Sequence, residues 1–236
     1  MNAQGRFCRV AFFPYGYFVQ VPSGLVQDEL RCCFKQWGRP QSLRVDNGNP
    51  WGSWGDLPTP LALWLIGMGI GVTWNPPRRP QDNGVVERSQ GVAYNWAEPD
   101  RCHDWEELQR RLDEEDRIQR ESYPYGSFQS RSEAYPDLAH SGQRYNVAWE
   151  RSEWSWEKVL TYLSGVMVRR RVDGWGKIGL YQTKPYVGLV NKYRDVIAQI
   201  DAGTVEWVIT DPSGSELCRR PLDQIDAAKL RRLPTK

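Results

Sequence analysis

From Leu43 to Val92 the chain runs through a short apolar strand, an apolar helix, a second strand and the opening of a second helix. That order is the signature of an α/β core. The strand from Ser42 to Asp46 closes on Asp46-Asn47-Gly48, turn residues that send the chain outward and leave the Asp46 side chain at the carboxyl edge of a sheet. Thr59 and Pro60 start a helix over Leu61 to Met68, ended by Gly67 and Gly69. After the strand Ile70 to Trp74 comes Pro76-Pro77-Arg78-Arg79-Pro80, whose prolines hold the backbone extended and present Arg78 and Arg79 outward. Asp82 or Asn83 then caps a helix with Glu87 in its first turn and Val85, Ser89, Val92 and Trp96 on its inward face.

Two carboxylates stand out in this stretch, Asp46 on a strand end and Glu87 on a helix. Rigid elements suit them to a hard cation such as Mg²⁺, which takes one or two carboxylates and fills its other positions with water and phosphate oxygens. A turn residue and a solvated helix carboxylate would look the same, so the pair by itself does not decide the matter. The surrounding residues add more. Val45-Asp46-Asn47-Gly48, followed by Trp74-Asn75-Pro76-Pro77, Pro80, Asp82-Asn83-Gly84 and Glu87-Arg88, resembles the second half of the retroviral-integrase-like catalytic core of bacterial insertion-sequence transposases, the DDE group. The likeness extends over nearly the whole chain.

The resemblance implies a partial RNase H-like core that carries out phosphoryl transfer on DNA. Two Mg²⁺ or Mn²⁺ ions, roughly 3.5 to 4 Å apart, serve the nucleophile and the leaving oxygen in that chemistry. By motif, Asp46 matches the family's second aspartate and Glu87 its glutamate, with 40 residues between them. The spacing is a few residues longer than in retroviral integrases, and the Gly/Trp-rich segment from Gly48 to Asp56 is where the excess falls. The implied partners are DNA, as transposon ends and target, and either further copies of the chain or an intact transposase. The implied location is the bacterial cytoplasm, at the nucleoid.

The family uses three acids, and its first stands on the opening strand of the core. Arg6 to Phe13 reads as the third strand of that core, which leaves the first acid and the first two strands without a counterpart. Asp28 and Glu29 are the only acids before Asp46. They lie in a helix from Ser23 to Trp37 whose buried stripe is Val26, Leu30, Cys33, Phe34 and Trp37, so they face solvent. The expectation is an incomplete core with impaired catalysis. The other reading is a non-catalytic DNA-binding or assembly partner of intact transposases.

Composition removes several classes. No apolar run approaches the ~18 residues of a membrane span, and the first residues carry no signal-peptide pattern. The 5 cysteines, Cys8, Cys32, Cys33, Cys102 and Cys218, are odd in number and lack metal-like spacing, which points to reduced thiols with one of the Cys32/Cys33 pair inward. His103 and His140 have no CxxC companions, so no zinc module is expected. Trp51 and Trp54 read better as caps on the core than as base-stacking groups.

Charge changes sign along the second half. From Arg101 to Ser164 there are 9 basic against 13 acidic residues, a balance of −4 that makes a poor DNA surface. Asp104 and Glu107 form a capping box before the helix carrying Trp105, Leu108 and Leu112. Tyr123 to Tyr145 is linker-like, with Arg131-Ser132-Glu133-Ala134-Tyr135-Pro136 resembling the family's post-catalytic segment, and Trp154 to Leu163 is helical.

Six short runs then alternate like strands: Val166 to Val172, Lys177 to Tyr181, Tyr186 to Val190, Asp195 to Ile200, Glu206 to Thr210 and Glu216 to Arg220. They are separated by Asp173-Gly174, Ala202-Gly203 and Asp211-Pro212-Ser213-Gly214, a spacing that predicts a small all-β barrel. Its likeness is to the SH3-like barrel that follows the core in the family. From Gly165 to Lys236 the count is 13 basic against 8 acidic, a balance of +5, which suits phosphate contact. Arg169, Arg170, Arg171, Lys177, Lys184, Lys192 and Arg194 are the DNA-binding candidates there, with Arg78, Arg79 and Arg88 beside the acids; a solvated basic surface is the alternative. The expected organisation is a catalytic core over 1–122, a linker and helix over 123–164, and a basic barrel over 165–236.

Overall fold

The computed structural model describes residues 22–52, 57–76, 84–136 and 140–235, the helical side chains at 84–87, 89 and 90 excepted. Within them the chain is mixed α/β. A two-stranded parallel sheet and a four-stranded antiparallel sheet are joined and covered by helices.

Helix α1 (Ser23–Trp37) buries Leu30, Cys33 and Phe34, with Val26 and Trp37 packed partly under cover, which is the stripe its sequence spacing predicts. Asp28 is exposed and Cys32 points outward while Cys33 is buried. Strand β1 (Ser42–Val45) leads to α2 (Pro60–Gly67), whose cap is the Thr59 hydroxyl accepting from the Ala62 N–H at 3.3 Å. Every residue from Leu61 to Gly67 is buried. A helix apolar on all sides needs neighbours on all sides, and α2 has them in α1, β2 (Gly71–Trp74), α7 (Trp156–Ser164) and α8 (Ala227–Arg231). Gly67 makes room for the turn that leads into α7: a Cβ there would lie 2.3 Å from the Trp154 indole, whose N–H donates to the Trp64 carbonyl at 3.0 Å.

Helix α3 (Gly84–Ala97) packs on α4 (Trp105–Glu121). The α4 cap is as expected, with Asp104 Oδ1 accepting from the Glu107 N–H at 2.8 Å, although Glu107 reaches back to the His103 N–H rather than to that of Asp104. Trp96, expected inward, is 43% exposed and meets Tyr123 edge-on at 5.7 Å instead. The reason is that α3 ends on α4 and the turn after it, and the only residue of its last turn that is buried is Ala97. The linker-like stretch holds a one-turn helix, α5 (Arg131–Ala134), and the helix expected over Trp154 to Leu163 is α7, capped by Ser155. Before it stands a helix that the sequence reading did not include, α6 (Val147–Glu153), capped by Asn146, whose Oδ1 accepts from the Trp149 N–H at 2.8 Å.

The last segment departs from a six-stranded barrel. Strands β3 (Met167–Arg171), β4 (Asp195–Asp201), β5 (Glu206–Thr210) and β6 (Glu216–Pro221) form one antiparallel sheet in that order. Among the described residues that sheet is open, with β3 and β6 as its edges. The expected strands at Lys177 to Tyr181 and Tyr186 to Val190 are a hairpin held by two isolated bridges, Lys177 to Tyr186 and Leu180 to Thr183. Pro185 has no N–H to donate, so the ladder is interrupted between the bridges. Tyr181 and Gln182 both take positive φ, 44° and 65°, as a two-residue primed turn requires.

One hydrophobic cluster joins the two sheets and most helices, from Leu30 of α1 through Leu61 to Ile66 of α2 and Val159 of α7 to Trp207 of β5 and Leu230 of α8; among the described residues α3, α4 and α5 contribute none of it. The C-terminal peptide closes onto α1. The Gly24 N–H donates to the Pro234 carbonyl at 2.9 Å, and the Gln27 side chain bonds the Leu230 carbonyl and the Leu233 N–H, each at 3.0 Å.

Candidate functional site

Strands β1 and β2 run parallel in the register Ser42 to Gly71 through Val45 to Trp74, so their carboxyl ends lie side by side. At that edge Asn75 is the fixing residue. Its N–H donates to the Val45 carbonyl at 2.8 Å, its side-chain oxygen accepts from Arg44 Nε at 2.6 Å, and its carbonyl accepts from the Asn47 amide at 2.7 Å. Trp74 adds an indole N–H bond to the Trp51 carbonyl at 3.0 Å. Trp51 packs against the core, as a cap should, while Trp54 lies outside the described residues.

Asp46 follows β1 directly and is exposed. Its Oδ1 accepts from the Gly48 N–H at 3.1 Å, the local turn that its sequence predicts. Among the described residues no cationic side chain forms a salt bridge with it, and the one hydrogen bond to its carboxylate is that from the Gly48 backbone. Glu87 stands in the first turn of α3, as expected; its side chain lies outside what the structure describes, and so does the convergence of the two acids. Arg78 and Arg79 are likewise outside the described residues, as are the caps Asp82 and Asn83 and the strand read at Arg6 to Phe13. Arg88 is exposed. Among the described residues no group of three or more His, Cys, Asp or Glu side chains is gathered to hold a metal.

The basic candidates of the last segment fall on one edge strand and the loops beside it. Arg169 and Arg171 alternate outward on β3, while Arg170 turns back, its Nε donating to the Gly179 carbonyl at 2.8 Å. Lys177, Lys184, Lys192 and Arg194 are all exposed. The ion pairs of this segment are made elsewhere, by Arg219 with Asp201, Glu206 and Glu216, and by Lys229 with Asp226. Arg169, Arg171, Lys177, Lys184, Lys192 and Arg194 make no close ion pair among the described residues, although Lys184 and Lys177 lie near enough to Asp173 to help hold its carboxyl below the ordinary range.

Sequence reasoning passed over two groups. Asn75 enters only as part of the Trp74-Asn75-Pro76-Pro77 motif with no role assigned, and only the pairing of β1 with β2 shows that it ties the edge together. Glu150, which no motif in the sequence singles out, is buried and bonded by Arg31, by the Trp64 indole at 3.0 Å and by the Tyr145 hydroxyl. Burial alone would raise its pKa, yet these donors hold it below the ordinary carboxylate range.

No family model matches the sequence. Among solved structures, the chain is similar to a chain in the cryo-EM structure of the simian T-cell lymphotropic virus intasome in complex with PP2A regulatory subunit B56 gamma. The TM-score is 0.40 with 14% sequence identity, over 86% of this chain and 63% of that one. The chain thus spans less than two thirds of that neighbour's length.

Proposed function

We propose that the chain takes part in DNA integration or transposition as a metal-dependent strand-transfer protein of the DDE type, with Asp46 and Glu87 as the acids that hold the metal. The observation that carries this reading is the parallel pairing of β1 with β2. It brings Asp46 and the segment leading to α3 and Glu87 off the same sheet edge, the edge at which ligands gather in open α/β sheets.

Asp46 fits a hard cation: it is exposed, forms no salt bridge among the described residues, and only its Oδ1 is engaged by the backbone turn. Bound Mg²⁺ or Mn²⁺ would supply Lewis-acid stabilisation of charge on the phosphoryl oxygens. The chain's own residues do the rest. Asn75 fixes the edge from which Asp46 projects, and α3 holds Glu87 on a rigid element. Arg88 and the six exposed cations of the last segment attract and orient the phosphate backbone. In this reading the parallel pair belongs to an RNase H-like core, and the open sheet with its bridged hairpin stands for the SH3-like barrel. The working unit is an oligomer on DNA in the cytoplasm, at the nucleoid.

Titration of Mn²⁺ followed by electron paramagnetic resonance tests the assignment without needing turnover. The expected result is a site lost or weakened at least about tenfold in Asp46→Asn and in Glu87→Gln; equal Mn²⁺ binding in all three proteins refutes it. A nicking or strand-transfer assay on supercoiled DNA with Mg²⁺ then asks for activity that both substitutions abolish.

A second reading, a DNA-binding or assembly partner without catalysis, is favoured by one observation: the exposed cations of the last segment are grouped on one edge strand and the loops beside it. Under it, DNA binding survives Asp46→Asn and Glu87→Gln and no strand is cut.

A further inference from the structure

Beside the basic strand lies an exposed aromatic surface that neither acid nor phosphate contact explains. Trp175 stands at the tip of a tight turn and is 78% exposed, Tyr193 is 60% exposed and Tyr186 46%. The three belong to one place. The turn is set by Asp173, whose Oδ1 accepts from the N–H groups of Trp175 and Lys177, each at 2.9 Å. The edge of the Tyr193 ring lies against Gly174, where a Cβ would be 2.9 Å from its hydroxyl. Gly176 carries the backbone of Gly188 and Leu189 so close that a Cβ would sit 2.8 Å from it, and its carbonyl accepts from the Val187 N–H at 2.7 Å. Tyr186 donates nothing to the core; its hydroxyl accepts from the Leu189 N–H at 3.0 Å and its partner across the hairpin is Lys177.

Tyr193 also has φ of 63°, in the left-handed region that costs a bulky residue energy. Strain retained at an exposed aromatic residue is the kind of outlier that points toward use. Around the rings stand Arg171, Lys177, Lys184, Lys192 and Arg194, with Lys192 Nζ 6.0 Å from the centre of the Tyr193 ring. The acids nearby are Asp173, whose carboxylate is engaged by the turn, and Asp195. Five cations against two acids make the patch positive.

We propose that Trp175, Tyr186 and Tyr193 form a stacking platform for the unpaired bases of a single-stranded DNA tract, whose phosphates run past the surrounding lysines and arginines. This rests on the DNA-binding reading above and names the form of DNA the surface takes. Aromatic faces in a basic groove are what binding of single strands without sequence readout requires, because every base has a π-face and every nucleotide a charge. A second copy of the chain fits less well, since a two-fold contact would set this positive patch against itself.

Fluorescence anisotropy with a labelled ten-nucleotide oligo-dT and with a labelled duplex, on the full chain, is the test. Trp175→Ala and Tyr186→Ala are expected to weaken oligo-dT binding about 5- to 100-fold each and to change duplex binding less than twofold. Lys177→Ala with Lys192→Ala weakens both ligands. If duplex is bound while the aromatic substitutions leave oligo-dT affinity within twofold, the platform is refuted and the DNA reading stands. If neither DNA is bound at all, both fail. A dimer seen by light scattering without DNA, and lost in Trp175→Ala, would assign the surface to self-association and overturn the platform.

Discussion

Arg31 of α1 and Glu150 of α6 lie 119 positions apart and form a two-pronged ion pair, Nε to Oε2 at 3.0 Å and Nη2 to Oε1 at 2.7 Å. Burial alone would lower the arginine's pKa, yet Glu150 and Asp28 raise it, in agreement with the depressed carboxyl. The Arg31 guanidinium also lies 5.2 Å from the centre of the Trp64 ring. Three elements, α1, α2 and α6, are thereby fastened at one point.

Because removing one partner strands a buried charge, Arg31→Met is expected to cost about 3 to 5 kcal/mol in urea unfolding. The double variant Arg31→Met with Glu150→Gln should recover part of that loss. A carboxyl with a depressed folded-state pKa contributes stability above its unfolded value and loses it as pH falls. The gap between wild type and Glu150→Gln should therefore close as pH drops below about 4.5.

Gly67→Ala tests the seat of Trp154. With the indole 2.3 Å from the new Cβ and itself bonded to the Trp64 carbonyl, the ring cannot stay where it is. A loss of about 1 to 3 kcal/mol is expected from overpacking, with a change in tryptophan emission; Trp154→Leu combined with Gly67→Ala should be less than additive.

Glu115 of α4 carries the opposite shift. Burial, with Asp116 beside it, pushes its pKa up to about 7. In the folded chain it keeps its proton between roughly pH 4.5 and 7 while the unfolded chain has lost it, so stability falls as pH rises through that window and levels off above it. Glu115→Gln should gain on the order of 1 to 3 kcal/mol over wild type at pH 8 and little at pH 4.5. Chemical denaturation at the two pH values checks this; equal differences at both would refute it.

Duplex affinity should fall steeply with salt, and Arg169→Ala with Arg171→Ala should flatten the slope of log K against log salt by about 1 to 2. An unchanged slope would place the phosphate contacts elsewhere.

Much of the local structure was legible from the sequence. The α1 stripe, the Thr59 and Asp104 caps, strand β5 at Glu206 to Thr210 and the turn at Asp46 each follow from residues within one or two turns of each other. What was not legible depends on distant partners. Glu150 looks like any helix carboxylate until α1 and α2 surround it, and Trp96 has the right spacing to face inward but meets Tyr123 instead. The six expected strands became four because Pro185 removes a donor that alternation of side chains does not reveal. At the candidate site the sequence reading put Asp46 at the end of β1 and Glu87 in the first turn of α3, as found, and gave no sign of the Asn75 clamp that ties the ends of β1 and β2.

The clasp of the C-terminal peptide on α1 carries a mechanical consequence. Gly24 and Gln27 hold the residues that follow α8, the Tyr181 hydroxyl reaches the Pro58 carbonyl at 3.1 Å, and a continuous apolar interior lies between. The sheet that ends at Asp46 and the sheet that carries β3 are thus braced against one interior. A ligand that reached both would meet two surfaces on a single rigid frame, not a bead on a tether.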